Sequence, residues 1–453
     1  MSFCFLWLRI LHLLLQKQPL FESMAKRQFL LFSISALGVL TQCNSEPTNP
    51  PNHIAPVFRT AIAKKQLTNE VFDFADLRPV DSLINHYLDT FQLKGASMAI
   101  VKDGKLVYAK GYGYANLEDS IKVHPGHKFR IASVSKLITA VAVMKLVDDK
   151  KLSLNDTVFG KTGILNGDLY LKARDKRMYH ITVKQLLNHT AGWCRKCNGD
   201  PMFRPLEIAK RLGIKSPITL DDVTKYVFAR RLWRKPGVEF GYSNYGYAIL
   251  GKVVEKIARM PYETYVQALL KPIGINGIQL GKSFVAQRAP LEVKYYDAKT
   301  VPKVRSVYDP RKKVPRTYGG NNLDALAGAG AWIASPLDLL RLTNAIDGRK
   351  TVPDILSEQA VKEMITPEAG DIRKVLGWRG CRSYECWRSG SFGGTDAIVV
   401  ASQSGISWAF VVNSSVESGA AVGKIYRLMN RILKTYRKKL PDINYWGLQP
   451  LTK

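Results

Sequence analysis

The chain has 453 residues, with 67 Lys+Arg against 37 Asp+Glu and a formal charge of +30 at pH 7. At 46% hydrophobic, 23% charged and 10% aromatic it has the balance of a chain that buries a large core, which excludes intrinsic disorder, a collagen-like sequence and a polytopic membrane protein. Six cysteines are too few for a disulfide scaffold.

Residues 1–43 read as an export signal. Lys26 and Arg27 precede an apolar run from Phe29 to Leu40, and polar, Pro-rich sequence follows from Asn44 to Pro56. The run is shorter than the ~20 residues of a spanning helix and suits the core of a signal peptide. It ends Leu40-Thr41-Gln42-Cys43, similar to a bacterial lipoprotein signal in which the cysteine becomes the lipidated first residue. Ordinary cleavage nearby and an uncleaved anchor are the alternatives. Met24-Ala25-Lys26-Arg27 makes a normal signal start, so translation from Met24 is expected. Loss of residues 1–43 removes Arg9, Lys17, Lys26, Arg27 and Glu22, and the remainder stays strongly basic, which favours anionic surfaces or polymers. A polar linker is expected over 44–79.

Residues 80–440 read as one α/β (α+β) domain. Ala96 to Lys110 holds two β-rich runs around Asp103-Gly104, a strong hairpin signal. Val134 to Val147 is apolar nearly all round, which predicts a helix buried in the core.

The first chemical motif, Ser133-Val-Ser-Lys136, opens that helix. Serine and lysine three apart share a helix face, and a serine at a helix start feels the positive end of the dipole, which favours its alkoxide. The pattern is weak alone, since Ser23-Met-Ala-Lys26 also matches it. The second motif is Tyr242-Ser-Asn244, after a Pro236-Gly237 turn and before a helix expected to run to about Ala258. Both side chains can project into one cleft, the phenol as proton carrier and the amide as substrate clamp. Tyr114-Ala-Asn116 lacks these surroundings and reads as a decoy.

Gly281 to Gly320 holds ten basic and three acidic residues, with Tyr295, Tyr296, Tyr308 and Tyr318 among them. Such interleaving can bind nucleic acid, but an exported chain rarely meets any, so no nucleic acid is expected. A solvated basic insertion, or a contact with an anionic cell-envelope surface, are the readings kept. Thr395 to Ala401 and Ile406 to Asn413 form a second strand pair. Strands at both ends with helices between predict an antiparallel sheet flanked by helices, with an inserted helical subdomain. From Gly423 to Leu440, apolar residues at helical spacing predict a terminal helix packed on the sheet, a membrane-surface helix being the alternative. Residues 441–453 are expected to be a tail.

With these motifs in this order, the chain resembles the serine β-lactamase and penicillin-binding-protein superfamily, in its branch of class C β-lactamases, D-alanyl-D-alanine peptidases and esterases, over roughly residues 80–435. Leu186-Leu-Asn-His-Thr-Ala-Gly192, Leu152-Ser-Leu-Asn-Asp156 and the stretch from Gly328 to Leu340 support it. The resemblance implies a β-lactamase/transpeptidase-like fold. It also implies a third motif, Lys-Thr-Gly or His-x-Gly, on an edge strand. Lys161-Thr-Gly163 is a literal copy in the wrong order and context. The place that fits is Arg388-Ser389-Gly390-Ser391, just before the last strand pair. Arginine keeps a cation that can grip a carboxylate at two points, but it cannot exchange protons at neutral pH.

The implied mechanism has Ser133 attack a carbonyl while Lys136 and Tyr242 shuttle its proton, and the acyl-enzyme is then hydrolysed or transferred. Backbone N–H groups of Ser133 and Ser391 would form the oxyanion hole. Asn244 would hold the substrate amide and Arg388 its carboxylate, with Ser389 and Gly390 leaving the strand open. The expected substrate is a D-alanyl peptide, β-lactam or ester, peptidoglycan-like in kind, with no cofactor and no metal. The alternative is a catalytically weak penicillin-binding or cell-wall-binding protein. The expected location is the periplasm or cell envelope, with a lipid anchor on Cys43. His189 is read as structural. Cys194/Cys197 and Cys381/Cys386 border the implied cleft. An oxidising compartment favours disulfides of open pairing over free thiols or a four-cysteine zinc site.

Overall fold

The computed structural model describes residues 66–451 except 384 and 416–420; the expected signal segment with Cys43 lies outside them. The chain enters through β1 (Gln66–Leu67) and α1 (Arg78–Thr90), then forms β2 (Gly95–Lys102), β3 (Lys105–Asn116) and β4 (Ile121–Lys122). The Asp103-Gly104 turn takes positive φ at both residues, 50° and 77°, and sets Lys102 opposite Lys105. That primed-turn geometry matches the twist of the strands it joins. The far end of the chain supplies β5 (Gly380–Arg382), β6 (Glu385–Phe392), β7 (Thr395–Ser402) and β8 (Ile406–Val412).

Among the described residues these strands form a seven-stranded antiparallel sheet in the order β5-β6-β7-β8-β2-β3-β4. Both ends of the chain thus meet at the β8–β2 pair, where Phe410 lies opposite Met98. The terminal helix α6 (Ala421–Tyr436) buries Ile425, Met429 and Ile432. Its Tyr426 ring meets Trp408, and Tyr87 of α1 meets Phe410, so both helices cover one sheet face. The helix α5 (Pro336–Asn344) packs on β8, β2 and β7. Residues 407–412 of β8 are all buried, as a strand covered on both faces requires.

The helix α2 (Ser135–Asp148) lies in the core, packed between α3 (Asn244–Ala258) and α4 (Leu323–Gly330). Its all-round apolar composition follows from having neighbours on every side. Lys136, within it, is fully buried.

Two expectations need correcting. Residues 66–79 and 445–450 are packed rather than linker and tail: β1 pairs with Gln449–Pro450, and the fully buried Phe72 ring touches Tyr108 and Tyr445. These contacts join residues far apart in sequence, so no local period announces them. Nor is the insertion 281–320 simply solvated. Arg130 lies beneath it, 1% exposed, donating from its two terminal nitrogens to Thr317 O at 2.6 Å and Lys282 O at 2.7 Å. Its guanidinium lies 4.3 Å from the Tyr295 ring and 5.1 Å from the Tyr318 ring, with Glu292 3.8 Å from its Nε. A buried charge is tolerated only with such partners. Tyr295 is buried and Tyr296, Tyr308 and Tyr318 are half-buried, while most of the basic residues are exposed.

Candidate active site

Ser133 stands at the entry to α2. The residue before it, Ala132, has φ +47°, a left-handed conformation costly for a non-glycine residue and frequent where function demands it. The Ser133 hydroxyl accepts hydrogen bonds from Tyr242 OH at 2.8 Å and from Lys136 Nζ at 3.2 Å. Lys136 also donates to Asn244 Oδ1 at 2.6 Å and to Ala329 O at 2.5 Å. Asn244 in turn donates from Nδ2 to Asp200 Oδ2 at 2.6 Å. The first two sequence motifs therefore converge on one hydroxyl.

The electrostatics suit proton transfer. Burial pushes the Lys136 ammonium down to about 8, with the Arg388 charge acting the same way and Tyr242 opposing. Burial alone would raise the Tyr242 phenol, but the Lys136 and Arg388 charges beside it bring it down to about 8. The two groups titrate as a pair near the operating range of a general base. His189 packs beneath the phenol, its ring 4.5 Å from that of Tyr242, and burial and neighbouring cations hold it well below its usual range, hence neutral. Its Nδ1 accepts from Ser243 N at 3.3 Å, which fixes the loop carrying Tyr242.

The third motif lies on β6. Its outer neighbour β5 pairs with Glu385 to Trp387 only, so from Ser389 to Phe392 that edge is open to the cleft. Gly390 presses against the Ser133 backbone: a Cβ there would lie 2.5 Å from both Ser133 N and Ile131 O. Ser389, Gly390 and Ser391 line a cleft of about 1030 Å³ together with Ser133, Tyr242 and Asn244.

Arg388 departs from its expected role. It is fully buried, donating from Nε to Ser133 O at 2.8 Å and from its terminal nitrogens to Trp378 O at 3.1 Å and Tyr242 OH at 3.2 Å. Strand alternation turns it toward α2, so it holds the Ser133 backbone and the Tyr242 phenol rather than facing a substrate carboxylate. Asn244 likewise holds Lys136 with its oxygen. Replacing Arg388 with methionine is expected to raise both Lys136 and Tyr242, moving the rising limb of a pH–acylation profile upward by about one unit. A limb left in place would sink the assigned role.

Asp200, Ala329 and Trp378 complete the site without having been singled out. Two act through backbone carbonyls, which no residue type announces, and Asp200 sits in no recognisable spacing. The cysteines form two local disulfides, Cys194–Cys197 at the cleft wall and Cys381–Cys386 joining β5 to β6. Among the described residues no group of His, Cys, Asp or Glu could hold a metal ion, and no helix is long and apolar enough to cross a membrane. Lys161-Thr-Gly163 and Tyr114-Ala-Asn116 do not line the cleft.

The beta-lactamase family model matches residues 80–429. The chain belongs to the beta-lactamase family. Members of this family are serine hydrolases. Among relatives, the putative penicillin-binding protein PbpX of Bacillus subtilis is 26% identical over 423 residues, covering 90% of this chain and 95% of that one. Protein flp of Staphylococcus aureus (strain COL) is 33% identical over 196 residues, 43% of this chain and 36% of the relative, so the chain spans only about a third of flp. The beta-lactamase fold is shared with a beta-lactamase/D-alanine carboxypeptidase from Pseudomonas syringae (TM-score 0.60, 19% identity, 79% and 99% covered). It is shared too with an octameric penicillin-binding protein homologue from Pyrococcus abyssi (TM-score 0.57, 24% identity, 80% and 81% covered).

Proposed function

We propose that the protein is a serine hydrolase working through an acyl-enzyme on Ser133, with a D-alanyl peptide as its substrate class and β-lactams or esters as related acyl donors. The observation that carries this reading is the meeting of Tyr242 OH and Lys136 Nζ on the Ser133 hydroxyl at the mouth of an open cleft.

The Lys136–Tyr242 pair takes the Ser133 proton as its oxygen attacks the carbonyl. The developing oxyanion is held by the N–H groups of Ser133 and Ser391, each worth about 10²–10³ in rate. The proton returns to the leaving group, and water then releases the acyl chain. With Arg388 turned inward, the cation placed to meet a substrate carboxylate is Arg379, which lines the cleft with its guanidinium 5.4 Å from the Tyr242 ring. Among the described residues no aspartate or glutamate lines this cleft. A structural neighbour from Burkholderia cenocepacia is described as a D-alanine carboxypeptidase, which supports the substrate class. Export to the periplasm or cell envelope, with a lipid anchor on Cys43, is part of the same reading. Because Arg388 cannot exchange protons, a catalytically weak penicillin-binding protein is the second reading.

The test is incubation with a penicillin, quenched over time, with adducts mapped by peptide mass spectrometry. A lasting adduct on the Ser133 peptide is expected of a peptidase, and a transient one with released product of a β-lactamase. Ser133→Ala should carry none. Absence of any adduct on the wild-type protein would overturn the penicillin-recognising reading.

A further inference from the structure

A second groove, of about 750 Å³, opens from the catalytic cleft. Arg195, Phe203, Ser391 and Phe392 line both, so the two are continuous. Phe203 and Phe392 stand at the junction with ring centroids 6.1 Å apart. Beyond them one wall is the insertion, through Val301, Val304, Arg305 and Arg316, and the other is the segment from Phe203 to Glu207.

Among the described residues the charges in this groove do not balance. Glu207 is engaged by Arg204 and by Arg211 at 3.1 Å. Asp396 is buried, accepts a hydrogen bond from Ser391 Oγ, and is pushed by burial up to about 7. Arg195, Arg305 and Arg316 are exposed and have no ion pair among the described residues. The wall that carries two of them is fixed in place. A Cβ on Gly393, in the β6–β7 turn, would lie 2.9 Å from Arg316 Cγ and 3.2 Å from its carbonyl carbon, and Arg130 clamps the insertion from below. Cations concentrated along a concave wall raise the local concentration of anions, and guanidinium groups bind carboxylates at two points.

We propose that this groove is a second substrate subsite that takes a carboxylate-bearing segment of the acyl donor, so that the protein selects an acidic peptide over a neutral one. This rests on the reading of Ser133 as the acylated residue. The peptide lies along the open edge of β6, its acyl carbonyl at Ser133 and its acidic segment beyond Phe392, between the insertion and residues 203–207.

The experiment uses two D-alanyl thioester peptides that differ only in a glutamate or a glutamine two residues before the D-alanine, followed by thiol release. The glutamate peptide is expected to have the higher kcat/KM by about tenfold, with the preference falling as salt rises. The exposed pair Arg305→Gln/Arg316→Gln should abolish the preference and leave the glutamine peptide within about twofold of its starting rate. Arg311→Gln/Lys312→Gln, on the outer side of the insertion, should keep it. Equal rates for the two peptides, or a preference that survives loss of Arg305 and Arg316, would overturn the subsite while leaving acylation of Ser133 standing. If neither peptide acylates Ser133, the functional reading fails, and binding of the two peptides to the unreacted protein decides the subsite. Equal affinity overturns it. Tighter binding of the glutamate peptide that is lost in the Arg305/Arg316 variant upholds it.

Discussion

Replacing Tyr242 with phenylalanine is expected to slow acylation of Ser133 by about 10²–10⁴-fold, the usual contribution of a positioned proton carrier. The change removes one oxygen and little else. The ring keeps its contact with His189 at 4.5 Å, so the fold should be unaffected. What disappears is the hydrogen bond of 2.8 Å to the Ser133 hydroxyl, the acceptor of Arg388 at 3.2 Å, and one member of the pair that titrates near 8. In the wild-type protein the pair holds one proton too many below that pH, so acylation should rise about tenfold per unit up to about 8 and then level off. Stopped-flow acylation between pH 5.5 and 9 reads both effects. A variant within threefold of wild type would remove the phenol from the mechanism.

The second large effect is expected at Gly390. An alanine there places its methyl 2.5 Å from Ser133 N and from Ile131 O, two backbone atoms that no rotamer change can clear. Either β6 lifts from the nucleophile loop or the loop shifts, and a displacement of about 1 Å in a reacting group can cost 10² in rate. The forced repacking should cost a further 1–3 kcal/mol or so of stability, read as a lower urea midpoint. Gly167→Ala is the control, because nothing lies within 4 Å of the added methyl. An acylation rate and a midpoint both unchanged in Gly390→Ala would mean that strand and nucleophile are not in the contact described.

Much of this was legible from residue order, and the reason differs from element to element. Asp103-Gly104 announces its hairpin because two consecutive left-handed residues are a purely local demand. The helix carrying Lys136 is announced by composition, since few environments accept so apolar a run. Arg388 shows where reading stops. Its type suggests a grip on carboxylate, but which way it points depends on strand phase and on the carbonyls of Ser133 and Trp378, contributed by distant segments. Arg379 carries no motif at all, and it reaches the cleft only because β5 folds back on β6. The pairing of β1 with Gln449–Pro450 joins the two termini of the domain, beyond the reach of any sequence window.

The clamp formed by Arg130 bears on how such a domain can be cut and recombined. Arg130 stands three positions before Ser133, and its hydrogen-bond partners Lys282 and Thr317 mark the two ends of the basic insertion. Excising the insertion would take away the carbonyls, the carboxylate and the rings that hold this guanidinium three positions from Ser133, so it is not a detachable module. Transplanting it into another scaffold would require moving the arginine with it, as a lock travels with its key. The two segments are expected to be exchangeable between proteins only as a set.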